Sequence, residues 1–251
     1  MRNLDPVWLV LAGFGGGLCG SVAGLASLIS YPALLAVGLP PVAANVSNTV
    51  ALVFSSVGSV LGSRPELRGQ RARSQRLGAI AIGGGITGGV LLLVLPSNWF
   101  VLVVPWLIGM ASLSILIRRN PARAATAPLH EPTWALGVGV FLVAVYGGYF
   151  GAAAGVLLVA LLMLSTAESL ARNIALKNLV IGLANGVAAL AFAAFGPVHW
   201  SAVVPLAIGF LVGGRLGPLV VRRAPAGALR ALIACAGLGL AVHLGLDAYG
   251  R

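Results

Sequence analysis

The chain has 251 residues, of which 59% are hydrophobic and only 8% charged, and its mean hydropathy is +1.01. A soluble globular domain carries about 25% charged residues, so this composition excludes water as the main solvent. Sixteen Lys and Arg against five Asp and Glu give a net charge of +11. A soluble chain with that balance would suggest nucleic acid, but here the arginines sit in short connections without interleaved aromatics, the pattern of cytoplasmic loops.

Uncharged stretches such as Pro6 to Leu61 and Leu77 to Ile117 are each long enough for one or more spans of about 20 residues. They are continuous and rich in Leu, Ala and Gly rather than alternating, which predicts helices and not a β-barrel. The fold class expected is therefore an all-α polytopic membrane protein of a bacterial inner membrane. Cys19 and Cys235 both lie in apolar segments, and His130, His199 and His243 stand singly. No disulfide framework, metal-ligand set, cofactor fingerprint or catalytic constellation results, so neither an enzyme nor an ATP-driven pump is indicated.

About eight hydrophobic segments follow in order: Val7 to Ser30, Leu34 to Gly62, Leu77 to Leu95, Trp99 to Ile117, Trp134 to Leu164, Ala171 to Phe195, Trp200 to Val221 and Leu229 to Leu246. The first is longer than a leader's apolar core and only Arg2 flanks it with positive charge, so it is expected to be retained. Trp99, Trp134 and Trp200 begin their segments as interfacial anchors do. Arg64, Arg68, Arg71, Arg73 and Arg76 mark one basic loop, and Arg118, Arg119 and Arg123 another.

The polar, Pro-containing stretch 118–133 divides the chain into two membrane repeats, 1–117 and 134–251. Gly20-x3-Gly24 followed by Ala43-Ala44-Asn45-Val46-Ser47 finds a counterpart in Gly151-x3-Gly155 followed by Ala171-Arg172-Asn173-Ile174-Ala175. Ala81-Ile82-Gly83 likewise matches Ala207-Ile208-Gly209. Eight simple crossings would place Arg222 and Arg223 opposite the other basic loops, against the positive-inside pattern. The conflict disappears if Val7 to Leu39 and Trp134 to Leu164 are broken or re-entrant helical hairpins, which would also make the repeats inverted.

The glycines Gly15, Gly16, Gly17, Gly20 and Gly24, with Gly147, Gly148, Gly151 and Gly155, are the expected points of unwound backbone in these hairpins. The formal G-x-G-x-x-G at Gly15 lacks the strand and helix that a nucleotide site requires. Tyr31-Pro32 and Leu39-Pro40-Pro41 bracket the run Ala33 to Gly38, read as the second arm of the first hairpin. Asn45, Asn48 and Thr49 share a helical face and form a candidate hydrogen-bonding patch. Lys177 is the most informative ionisable residue, because a charge within an apolar helix costs about 2.5 to 3.5 kcal/mol at the centre. Snorkelling to the interface is its alternative, since it lies early in its segment. Asn178 and Asn185, seven apart on the same helix, join it as candidate substrate contacts. Glu168 and Arg172, four apart, are expected to pair.

These residues resemble the TauE/SafE family, the sulfite exporters. The resemblance covers nearly the whole chain and rests on Gly13 to Gly24, on Asn45-Val46-Ser47-Asn48-Thr49 followed by Gly58 to Gly62, on Gly147 to Gly155, and on Lys177-x7-Asn185 followed by Gly209 to Gly217. It implies a secondary transporter or facilitator of sulfite or an organosulfonate, without an ATPase subunit. Its partners would be a small anion, the lipid bilayer and a coupling ion or proton. A homo-oligomer is compatible with this, and nucleic acid is not. The family often has a basic residue after the first polar cluster where this chain has Val50, so Lys177 would act without a second cation. The competing expectation is a scaffold or enzyme subunit with no transport pathway of its own.

Overall fold

The computed structural model describes residues 6–95, 133–151 and 153–223, with single positions at 106, 225, 228, 231, 235, 238, 239, 242, 245 and 246. The expected segment Trp99 to Ile117, the linker 118–132 and most of Leu229 to Leu246 lie outside the described residues. Within them every regular element is a helix: α1 (Pro6–Ala23), α2 (Ser27–Ala36), α3 (Pro41–Gly62), α4 (Arg64–Leu67), α5 (Arg71–Val94), α6 (Thr133–Tyr149), α7 (Ala154–Ser165), α8 (Leu170–Phe195) and α9 (Trp200–Arg223). The protein is an all-α, multi-pass membrane protein.

Helices α1, α3, α5, α8 and α9 are long and apolar enough to cross a membrane. The last four run 22 to 26 residues, about 33 to 39 Å at 1.5 Å per residue, against a hydrocarbon core of about 30 Å. Phe54, Val57, Val90, Leu142, Leu190, Val204 and Ile208 point outward and exposed. Such a belt is the surface that lipid covers, and Trp134 and Trp200 stand exposed at its edges.

The chain turns back on itself twice. After α1, Gly24 adopts φ +78° and its N–H bonds to Gly20 O at 2.8 Å, closing the helix. Helix α2 then returns along α1, bringing Ile29 beside Gly15 and Ala26 against Gly20. In the same way Gly151, at φ +74°, ends α6, and α7 returns to place Ala154 beside Gly147 and Leu161 against Gly139. The breaks fall at Gly24 and Gly151. The sequence match instead set Gly20 and Gly24 against Gly151 and Gly155. Unwinding is confined to the turns: Gly15, Gly16, Gly17 and Gly20 stay helical in α1, Gly147 and Gly148 stay helical in α6, and Gly155 lies in the first turn of α7. Pro32, expected to interrupt the chain, sits inside α2. A bundle interior tolerates one missing donor because neighbouring groups satisfy the freed carbonyl.

Packing crosses between the halves. Helix α1 lies along α9, where Gly13 and Gly17 meet the backbone at Leu206 and Phe210, and Gly209 and Gly213 meet that at Val10 and Phe14. Helix α6 lies along α5, where Gly84 and Gly88 meet the backbone at Phe141 and Val145. Small residues permit this close approach, which supplies van der Waals contact where no hydrophobic force separates helix from lipid. Helix α3 packs on α9, α8 packs on α5, and α3 meets α8 between them.

The ends of the helices carry the topology. Arg222 Nε bonds Glu66 Oε1 at 2.7 Å, and its guanidinium also reaches Gly62 O at 2.8 Å. Glu168 pairs with Arg172 at 2.8 Å and with Arg73 at 3.3 Å. The end of α9, the end of α3, the start of α5 and the start of α8 therefore share one basic end. Leu136 of α6 and Ser165 of α7 face Arg73 and Arg76 there, so the second hairpin both enters and leaves at this end. The first hairpin starts beside the N-terminal half of α9 and hands over to α3 at the opposite end, where Ser47 Oγ accepts the His199 N–H at 2.9 Å.

Candidate functional site

Lys177 lies in the second turn of α8, seven residues after Leu170, where Ser169 caps the helix by accepting the Arg172 N–H. Its side chain runs inward past Gly155 and is 1% exposed, so it does not snorkel. Nζ donates to Gly20 O at 2.8 Å and to Ser21 O at 3.2 Å. Both carbonyls belong to the last turn of α1, where partial negative charge collects, and Gly20 O also accepts the closing Gly24 N–H. Asn178 Nδ2 donates to the same Ser21 O at 3.1 Å. Two neighbouring residues of α8 thus hold the tip of the first hairpin.

A cavity of about 40 Å³ opens beside this contact. Lys177, Asn178 and Asn185 of α8 line it, with Ser55 and Ser59 of α3 opposite and Ser27 at the start of α2. Gly24, Gly151 and Gly155 form the wall where the hairpins meet. Roughly 10 to 15 Å³ of such space holds one water, so there is room for a solute of about three or four heavy atoms. Asn185 Oδ1 is buried without a hydrogen-bond partner, and its side chain borders the cavity. Lys177 is the single charged residue among the lining residues, and two of its three ammonium protons are committed to α1. Of the carboxylates among the described residues, Glu66 and Glu168 are both held by arginines at the basic end. The paired Lys177 and Glu168 that an enzyme would need are therefore not brought together.

The starts of α2 and α7 abut the cavity at Ala26, Ser27 and Gly155, with no side chain capping either helix. Their partial positive charge adds to that of Lys177, while the negative end of α1 is already neutralised by the ammonium. The lining as a whole is electropositive and rich in N–H and O–H donors.

Asn45, Asn48 and Thr49 are buried but lie outside the cavity lining. The helix begins at Pro41, so none of them caps it. Asn45 Nδ2 donates to Tyr149 O at 3.2 Å, Asn48 Nδ2 to Ser27 Oγ at 3.0 Å, and Thr49 Oγ1 back to Asn45 O at 3.0 Å. Asn45 thereby ties α3 to the end of α6, much as Lys177 ties α8 to the end of α1. The serines Ser27, Ser55 and Ser59 were missed by sequence reasoning. The available signal was the stripe Asn48, Leu52, Ser55, Ser59, a small-polar face at helical spacing in an apolar segment.

The family model described as sulfite exporter TauE/SafE matches residues 9–244. The chain is also similar to a Sinorhizobium sp. protein described as "Probable membrane transporter protein ORF9", at 23% identity over 241 residues, covering 96% of this chain and 92% of that one. No solved structure matches the chain. An all-helical bundle with two glycine-tipped hairpins, matched by that family's model over almost its full length, belongs to the sulfite exporter TauE/SafE family of membrane transporters, which are not enzymes.

Proposed function

We propose that the protein is a secondary carrier of a small sulfur oxyanion, sulfite or a short organosulfonate, bound at Lys177 between the two hairpin tips. The observation that carries this reading is the buried Lys177 ammonium, which has no carboxylate among the described residues lining its cavity and keeps one donor for a ligand. An uncompensated charge in such a place is expensive, and an anion supplies the compensation. Asn178, Asn185, Ser27 and Ser55 would donate to its oxygens, while the Ser59 hydroxyl is committed to Ser55 O at 2.8 Å. The cavity volume favours an ion the size of sulfite over longer sulfonates in this conformation.

The same reading takes residues 1–117 and 134–251 as inverted copies of one unit, joined by 118–133. Its support is the breaks at Gly24 and Gly151, hairpins that open toward opposite ends, and the exchange in which α1 lies on α9 while α6 lies on α5. In a bacterium the site of action would be the inner membrane with the basic end in the cytoplasm.

The test is thermal unfolding of the detergent-purified protein with sulfite, sulfate, methanesulfonate, taurine or acetate, alongside Lys177→Met. A ligand bound only to the folded form raises stability by RT ln(1 + [L]/Kd), about 2.7 kcal/mol at a hundredfold excess over Kd. Stabilisation by sulfite or methanesulfonate, absent from Lys177→Met, is the expected result. A folded protein that no anion stabilises at millimolar concentration would rule out the anion site and favour a scaffold.

A further inference from the structure

Paired main-chain carbonyls at the C-terminal end of a broken helix make a cation site, because partial negative charge gathers there and the lone pairs converge. In carriers built on broken helices such ends hold the coupling cation. In this protein Gly20 O and Ser21 O provide that end, and Nζ of Lys177, delivered from α8 far along the chain, already occupies it. Asn178, from the same helix, adds a third hydrogen bond to the pair and the Gly24 N–H a fourth, so the carbonyls are saturated without any added ion.

No other described residue lining the cavity is titratable. On the surrounding helices the titratable groups are Cys19 on α1, Tyr31 on α2, Tyr146 and Tyr149 on α6, Arg172 on α8 and Arg215, Arg222 and Arg223 on α9, with Arg71, Arg73 and Arg76 at the basic end of α5. Helices α3 and α7 carry none. Neither carboxylate among the described residues reaches the cavity, since Glu66 and Glu168 are paired with arginines. Among the described residues, proton uptake and release within the cavity therefore rest on one nitrogen.

We propose that Lys177 is the coupling site of the carrier, its ammonium standing where a metal cation would otherwise bind, so that one proton travels with each monovalent anion. Nζ takes the proton from water on the side where the anion enters and returns it to water where the anion leaves. The loaded cavity holds one ammonium and one anion, and the empty cavity holds a neutral amine. Both are uncharged as a whole, so neither state carries net charge through the low-dielectric interior. The neutral amine keeps two N–H groups, enough for Gly20 O and Ser21 O, so the tip of the first hairpin stays tied in both states.

This inference rests on the anion-carrier reading, and the experiment separates the two. Purified protein in liposomes is loaded with methanesulfonate, a strong-acid monoanion that does not cross lipid as a neutral acid. Exchange of radiolabelled methanesulfonate without any gradient must occur first; its absence overturns the carrier reading and this inference together. With exchange established, an acid-outside gradient of one pH unit should drive accumulation of about tenfold. A sodium gradient, and a potassium diffusion potential set with valinomycin, should drive none. Accumulation on sodium or on membrane potential, or none on the pH gradient, overturns the inference and leaves the carrier reading standing. Lys177→Arg keeps its charge at any working pH, so a pH gradient should drive no accumulation in that variant. Accumulation by that variant would also defeat the proposal. The wild-type comparison decides the matter even if the variant fails to fold.

Discussion

Gly24 and Gly155 meet backbone to backbone: a methyl group on either would lie 2.5 Å from the Cα of the other. One closes the first hairpin at φ +78° and the other opens the returning helix of the second. Gly24 is thus constrained twice, by its left-handed backbone and by its neighbour. Gly38, at φ +93°, has the first constraint alone, since nothing lies within 4 Å of a side chain there. Gly38→Ala should cost about 1 to 2 kcal/mol, the strain of a left-handed L-residue. Gly24→Ala should cost at least about 3 kcal/mol, because overpacking adds to that strain. Thermal unfolding of the two variants in one detergent checks the order; equal shifts would mean that the tips do not touch.

Asn185 and Asn48 should behave in opposite ways. Asn185 borders the cavity with its carbonyl oxygen unpartnered, so Asn185→Leu removes an unsatisfied buried group and leaves stability unchanged or raised. It should weaken anion binding about tenfold, the loss of one hydrogen bond to a charged ligand. Asn48 instead donates to Ser27 Oγ and does not line the cavity. Asn48→Ala should lose about 0.5 to 1.5 kcal/mol of stability while anion affinity stays within about twofold. Titrating sulfite against melting temperature measures both quantities on each variant.

Glu66 offers a pH test at the basic end. The hydrogen bond from Arg222 holds its carboxyl below the ordinary glutamate range, despite an opposing contribution from burial. A lowered carboxyl pKa contributes stability that is fully present above the unfolded value and is lost as pH falls through the folded one. Glu66→Gln should therefore lower stability at neutral pH by about 0.2 to 1 kcal/mol in low salt, the usual range for a partly exposed pair. The difference between variant and wild type should begin to shrink below the ordinary glutamate pKa of about 4.3 and vanish once pH is below the lowered folded value. A gap that persists in acid would assign the effect to packing rather than charge.

The sequence disclosed the membrane class, the order of the helices and the two hairpins, because hydropathy and the positive-inside rule act on residues independently of their partners. Arg222 is the clearest example: its place beside Glu66 follows from where basic loops belong. Lys177 was legible for the same reason, as a charge whose cost within an apolar helix demands an explanation. What each glycine does was not legible. Gly17 and Gly24 belong to one Gly-rich run, yet one packs in a helix against Phe210 and the other breaks the chain. That choice depends on which helix arrives beside it. The asparagines divide in the same way: Asn48 is used up by Ser27 and Asn185 is left open, a difference made by tertiary neighbours more than a hundred residues away in one case. Ser55 and Ser59 carried no charge to draw attention and became significant only once α8 stood across from them.

The pairing of α1 with α9 has a consequence for how the protein is made. Helix α1 leaves the ribosome with Gly13 and Gly17 exposed toward a partner face, around Leu206 and Phe210, that is synthesised nearly two hundred residues later. At about 5 to 20 residues per second, that face waits on the order of ten seconds or more in the bilayer. During that interval the lysine that will secure the end of α1 has not been made either, until α8 emerges. A chain halted before α9 would leave its first hairpin without its main packing partner. Assembly quality control acting on this protein would thus have a natural checkpoint, the arrival of residues 200–217 at the face left open since α1 was made.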